Sequence, residues 1–220
     1  VSEDLRQVAD GVWTGRLAPG PLLHVIVLDD VVVDSGLRWS ARRLAGLLRG
    51  REVSSHVVTH AHADHVGATA WLCGTTGASL QMGAPDADRF ESGDIATVRS
   101  PAGRWVARLL DPPRIRVDRR LREGDQVGSF RVVECPGHSP GNIALWRAED
   151  RVLVVGDAPV NRSADPAAPA WVRLPRALHH DAALAAASRR RLARLEPALV
   201  VPVHGHPVRD TAAWVRTMGG

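Results

Sequence analysis

Apolar residues along this chain come in short runs separated by glycine, proline or acidic residues. Runs near 12–16, 22–28, 30–34, 54–59, 78–82, 130–134, 143–147, 151–155 and 199–203 are mostly valine, isoleucine and leucine. Apolar runs of about 4–8 residues bounded by turn formers predict strands, and unbroken ones predict strands covered on both faces. Mixed stretches near 39–49, 67–74, 86–92, 101–110 and 181–195 predict helices. Strands lead and helices follow in each half, with no linker between the halves. The pattern predicts an α/β sandwich of mixed sheets flanked by helices, built as one domain over residues 1–220.

Several of the strand runs end in chemistry. Val57-Val58-Thr59 leads into His60-Ala61-His62-Ala63-Asp64-His65, three imidazoles and a carboxylate in six residues. Alternate residues of an extended segment point the same way. His60 and His62 can therefore converge on one metal ion, while Asp64 and His65, further on, can face a second. A closed pair of ions needs more nitrogen and oxygen donors than these four. Three other strand runs end in candidates: Phe130–Val133 leads to Cys135-Pro136-Gly137-His138-Ser139-Pro140-Gly141-Asn142, Val152–Gly156 to Asp157, and Leu199–Val203 to His204-Gly205-His206. The repetition places several strand ends at one edge of a sheet. Binding sites concentrate on such loops because a rigid scaffold positions them.

These motifs, in this order, resemble the metallo-β-lactamase superfamily: T-H-x-H-x-D-H-x-G at 59–67, P-G-H-S-P-G at 136–141, G-D at 156–157, and a late P-x-H-G turn at 202–205. Asp34, in Val31-Val32-Val33-Asp34-Ser35-Gly36, is similar to the early strand end of that family, and Ser188, Leu192 and Leu195 match its late helix. The resemblance spans roughly residues 10–208 and is nearest to the glyoxalase II-like hydrolases. It implies an αββα sandwich and two divalent ions, zinc first, with iron or manganese as alternatives. His60, His62 and His138 would hold the first ion and Asp64, His65 and His204 the second, with Asp157 bridging. His206 is the rival to His204. The P-x-H-G turn favours His204, although Val203 stands where the family has glycine. Asp34, then Ser139, are the candidates for orienting the imidazoles.

Composition changes this picture little. All 28 basic residues are arginine, there is neither lysine nor tyrosine, and the net charge is +4. Arginines cluster at 114–122 and at 189–194 without interleaved aromatics, so the second cluster reads as a solvated helix face and nucleic acid is not expected as a partner. Cys73 and Cys135 are too few for a disulfide framework. No apolar run approaches the ~20 residues of a membrane span. The polar start, Val1-Ser2-Glu3-Asp4, does not read as a signal peptide. The expectation is a cytoplasmic protein with no membrane partner; the composition leaves its oligomeric state open.

The ligand set implies hydrolysis. Two cations about 3.5–4 Å apart lower the pKa of a shared water and make a bridging hydroxide the nucleophile. Asp64 would accept its proton and Asp157 would set the spacing. No G-x-S-x-G elbow suggests a serine triad. The resemblance narrows the substrate. Sixteen residues follow His204, short of the glutathione-gripping domain of glyoxalase II. The quorum-sensing lactonases use a tyrosine that this chain lacks. The expectation is cleavage of an ester or thioester, above all a small-molecule or carrier-bound acyl thioester. The alternatives are an iron persulfide dioxygenase-like oxidoreductase using His60, His138 and Asp157, or lactonase, β-lactamase or phosphodiesterase activity on the same fold. Residues 84–120 (Phe90, Trp105, Leu109, Leu110) and 158–180 (Trp171, Leu174, Leu178) leave the sheets beside ligands and are the candidate pocket segments.

Overall fold

A computed structural model describes residues 5–18, 23–94, 112–158, 160–163, 169–209 and 211–219. Two sheets face each other. The first runs, in spatial as in chain order, β1 (Arg6–Ala9), β2 (Val12–Arg16), β3 (His24–Leu28), β4 (Val31–Val33), β5 (Ser55–Val58), β6 (Ser79–Gly83) and β7 (Arg119–Leu121). It is antiparallel through β4 and parallel from β4 to β7. The second has the order β14 (Leu199–Pro202), β11 (Val152–Val155), β10 (Ile143–Arg147), β9 (Phe130–Glu134), β8 (Gln126–Val127), with only β11 and β14 parallel. A small ribbon pairs β12 (Val160–Asn161) with β13 (Trp171–Val172).

The helices are α1 (Ala41–Leu47), α2 (Ala63–Val66), α3 (Thr69–Thr76), α4 (Ala84–Ser92), α5 (Ala182–Ala193) and α6 (Ala212–Gly219). The strands read as unbroken apolar runs because both of their faces are covered. Val132, Leu145, Val152, Val154, Leu199 and Val201 face Val25, Val27, Val32 and Val57 of the first sheet. The alternate residues Val133, Ala144, Leu153, Val155 and Val200 meet Leu192, Trp214 and Met218 of α5 and α6 on the outer face. On the other outer face, Val58, Leu80 and Met82 pack on Ala87 and Phe90 of α4. The period of two thus sorts each strand between two apolar layers.

All nine predicted strands are present, shortened by a residue or two at some ends. The short strands β1, β7, β8, β12 and β13 and the helix α6 were not expected. They carry charged or mixed side chains, and their partners, not their own pattern, make them strands. Asp64 and His65 lie on the one-turn helix α2 rather than on an open loop. Phe90 is fully buried in the core against α4's sheet rather than open to a substrate. The helix expected at 101–110, with Trp105, Leu109 and Leu110, falls outside the described residues.

Candidate metal centre

The C-terminal ends of five strands, β4, β5, β9, β11 and β14, deliver Asp34, His60, His138, Asp157 and His204 to one edge between the sheets. After β5 the chain bends at Thr59 and His60, with His62 N donating to His60 O at 3.1 Å, and then turns once as α2, with His65 N and Val66 N both donating to His62 O. That turn lifts Asp64 and His65 beside His60 and His62. Gly67 ends it against the backbone of Gly36–Arg38, where a Cβ would lie 2.4 Å from Arg38 N. At the last strand end Gly205 has φ +105 and passes Asn161 O, where a Cβ would lie at 2.1 Å. No other residue type fits that turn. Val203, in place of the family's glycine, is fully buried, and its backbone bonds to Val155 O and His24 N on either side.

All seven predicted donors come together, in two groups. His60, His62, His138 and Asp157 form one, and Asp64, His65 and His204 the other, with donor atoms in each group within 4.8 Å of one another. In the first, His62 Nδ1 lies 2.8 Å from His60 Nε2 and 2.9 Å from His138 Nε2. In the second, His204 Nε2 lies 3.3 Å from His65 Nε2 and 3.4 Å from Asp64 Oδ2. Asp157 touches both: its Oδ2 is 3.3 Å from His138 Nε2, and its Oδ1 is 3.1 Å from His204 Nε2 and 3.3 Å from His65 Nε2. His206 is in neither group; its ring stands 5.8 Å from that of His24.

Two carboxylates behind the donors hold them. Asp34, in the left-handed conformation at φ 56, accepts from Thr59 N at 2.7 Å and Thr59 Oγ1 at 2.8 Å. Its Oδ2 is also 2.7 Å from His65 Nδ1, which leaves the other nitrogen of that ring turned to the site. Fixing a ring through its far nitrogen is a recurrent feature of metal-ligating histidines. Asp86, in the first turn of α4, is 1% exposed. It accepts from Ala61 N at 2.9 Å, Ser139 Oγ at 2.6 Å and Gly141 N at 2.7 Å, which ties the loop of His60 to that of His138. Ser139, expected to orient an imidazole, thus acts through Asp86. An acid in a helix's first turn ordinarily answers the helix dipole, so nothing in the local pattern marked Asp86 for this task. The His138 ring has no partner on its buried Nδ1; its backbone is held instead, by His180 N on His138 O and Asp181 N on Gly137 O.

The electrostatics of the two groups differ in sign. Burial, then the neighbouring imidazoles, push His60 well below its ordinary value, and burial with His138 pushes His62 down to about 3. These rings present lone pairs. Burial works against charge on His65 and His204, but the carboxylates override it. Asp34, Asp64 and Asp157 raise His65 well above its usual range, and Asp157 and Asp64 raise His204 to about 10. Burial alone would raise Asp64, yet His65 and His204 bring it down to about 2. Three carboxylates therefore favour positive charge among imidazole nitrogens that crowd within 2.8–3.3 of one another in Å. Neutral imidazoles have no reason to gather so; a divalent cation, bound by nitrogen and oxygen at about 2.0–2.2 Å, satisfies both the lone pairs and the field. The donor set fits such ions.

A sandwich of two mixed sheets with an imidazole–carboxylate cluster at the shared edge defines a class of α/β proteins built to bind metal. The model of the metallo-beta-lactamase superfamily matches residues 28–206, and the chain belongs to that superfamily. It is 32% identical over 150 residues to the acyl-coenzyme A thioesterase MBLAC2 of Gallus gallus, covering 58% of this chain and 53% of that protein. To the hydroxyacylglutathione hydrolase of Rhodospirillum rubrum it is 32% identical over 108 residues, 47% of this chain and 33% of that one. These matches span about half of the first relative and a third of the second. The crystal structure of TTHA1623 in a di-iron-bound form is 30% identical, covers 86% of this chain and 91% of that chain, and superposes with a TM-score of 0.64. The glyoxalase II-like resemblance and the αββα sandwich are borne out. Superfamily and cluster together imply divalent metal ions. Among the described residues no helix is long and apolar enough to cross a membrane.

Proposed function

We propose that this protein is a dinuclear metal-dependent hydrolase of acyl thioesters. The observation that carries the reading is the division of Asp157, with one oxygen against each donor group. His60, His62 and His138 would hold one ion, Asp64, His65 and His204 the other, and Asp157 both. When bound, such a pair polarises a scissile carbonyl and lowers the pKa of water toward neutrality. Zinc suits the nitrogen-rich set; iron suits it too, as the di-iron relative illustrates.

The protein's own residues supply position and charge. Asp34 fixes the His65 ring, and Asp86 holds the two loops that carry His60 and His138. Asp64 is the most open of the donors, with its side chain 40% exposed. Its carboxylate would orient a proton of the attacking water by accepting a hydrogen bond. A small-molecule or carrier-bound acyl thioester is the substrate class, supported by the acyl-coenzyme A thioesterase relative and by the low resonance stabilisation of a thioester carbonyl.

Metal analysis after purification without added metal, followed by a panel of thioesters, lactones, β-lactams and phosphodiesters, tests this. About two ions per chain are expected, with thioester hydrolysis that chelation abolishes and Asp64→Asn impairs. A single iron per chain together with dioxygen-dependent turnover of persulfides would replace the proposal. So would a preference for phosphodiesters above about a hundredfold, roughly 2.7 kcal/mol of transition-state discrimination.

A further inference from the structure

Helix α5 presents Ala185, Ser188, Arg189 and Leu192 on its buried face, at the i, i+3, i+4, i+7 spacing of one stripe. Three of these are small or apolar and meet expected neighbours. Ala185 lies against Gly137, where a Cβ would come 2.1 Å from its backbone N. Ser188 Oγ donates to Pro136 O at 2.7 Å, and Leu192 fills the outer core. Arg189 is the exception. Its neighbours Arg190, Arg191 and Arg194 are exposed, as a solvated face requires, but Arg189 is only 9% exposed. Its Nη1 is buried without a hydrogen-bond partner, and among the described residues no carboxylate pairs with it. A buried guanidinium N–H left unpaired is costly, and proteins keep few of them.

The surroundings deepen the anomaly. Arg189 feels the positive charge of Arg173, which is held to α6 by a bond from its Nε to Thr217 O at 3.0 Å. His179, six residues before Ala185, feels Arg189 in turn. Its ring reaches toward the Leu174 backbone and stands edge-on 5.5 Å from that of His138. The indole Nε1 atoms of Trp171 and Trp214, in the apolar cluster beneath α5 and α6, are buried and unpartnered as well. Among the described residues, Arg189 Nη1 and the two indoles are thus sealed N–H donors without a partner. Buried donors in folded proteins are nearly always satisfied, so an acceptor-rich group is missing from the account.

We propose that Arg189, Arg173 and His179 form an oxyanion-binding subsite beside the metal centre, which takes a carboxylate or phosphate carried by the substrate. A planar guanidinium suits either group, because its paired N–H donors match two oxygens. The proximity of His179 to His138 puts the anion near the scissile bond. The inference rests on the thioesterase reading for its kinetic arm and is independent of it for its binding arm.

The binding arm uses metal-loaded protein in chloride buffer at matched ionic strength, with succinate and inorganic phosphate as probes. At about ten times its dissociation constant, one of the two should raise the melting temperature by about 3–6 °C. Arg189→Gln should abolish that shift, keep its metal by native mass spectrometry, and melt no lower than the parent without anion, because it removes an uncompensated buried charge. No shift with either probe overturns the proposal. So does a shift that survives Arg189→Gln, since the anion would then sit on the metal, or a variant that melts lower in plain buffer, since the arginine would then be structural. The kinetic arm compares succinyl with butyryl thioesters of one thiol, and coenzyme A with N-acetylcysteamine as the thiol of one acyl group. Arg189→Gln should lower kcat/KM for the charged member of one pair by about 10–100-fold, mainly through KM, and leave the uncharged member within about twofold. The pair affected tells whether the carboxylate or the phosphate is read. Equal loss on charged and uncharged members overturns the proposal, and a panel with no thioester turnover rejects the thioesterase reading while the melting data still decide this one.

Discussion

The two donor groups are equal in size of task and differ in what holds them. The second is gripped through a ring: Asp34 bonds the far nitrogen of His65, and its charge reaches the imidazole directly. In the first, Thr59 Oγ1, itself bonded to Asp34, lies 3.2 Å from His60 Nδ1, and the two loops are gripped through Asp86, which takes Ala61 N, Gly141 N and the Ser139 hydroxyl and bonds none of the imidazoles. One carboxylate tunes a ligand; the other sets the distance between two loops 76 residues apart at His62 and His138. The difference teaches that two buried aspartates at one site need not share a function. Their separate failures should look different in the laboratory.

The largest effect is expected where the groups meet. Asp157→Ala removes a carboxylate that sets one oxygen against each group, and should cost at least about a thousandfold in turnover, roughly 4 kcal/mol, with loss of both ions by native mass spectrometry. His204→Ala should empty only the second group, while His206→Ala should leave metal content unchanged. Retention of two ions in His204→Ala would break the division described above.

A middling effect separates the two supports. Asp34→Asn should weaken the second ion by about 10–100-fold and leave the first in place. Asp86→Ala strands two buried backbone N–H groups, each worth about 1–3 kcal/mol when left unpaired. It should lower the melting temperature more than Asp34→Asn does and loosen the first group. Equal loss of both ions in both variants would show that the two supports are not separable.

The smallest effect lies behind β5. His56 is fully buried, bonded through Nδ1 to Val32 O and through Nε2 to Thr69 Oγ1, and burial lowers its pKa. His24, near His206, is pushed down to about 4 by burial and by that ring. The unfolded chain protonates these rings near 6.5 and the folded protein resists. Their contribution is therefore complete above that value and is lost as pH falls below it, by at most about 1.4 kcal/mol per unit per ring. Unfolding free energies between pH 6.5 and 5 should slope less steeply in His56→Gln than in the parent, both measured after chelation. An unchanged slope would mean that His56 titrates normally.

Much of this protein was legible in the chain itself. The strands that build both sheets could be placed because their apolar runs are long enough to be covered on two faces, and the seven candidate donors because they cluster where four such runs end at turns. Those are local facts: spacing, punctuation and the period of a strand. The short strands β1, β7 and β8 were not legible, since a strand of two to four mixed residues is defined by its partner. Asp86 looked like an ordinary acid at a helix start, and Arg189 like one more member of a solvated arginine run. Only the packing of α4 against two loops, and of α5 against the loop of His138, sealed those two side chains from water. The division of Asp157 between two donor groups likewise depends on β5, β11 and β14 ending side by side. Sequence spacing sets which side chains can share a face. Burial and charge are sums over everything that surrounds a group, and most of those neighbours are distant along the chain.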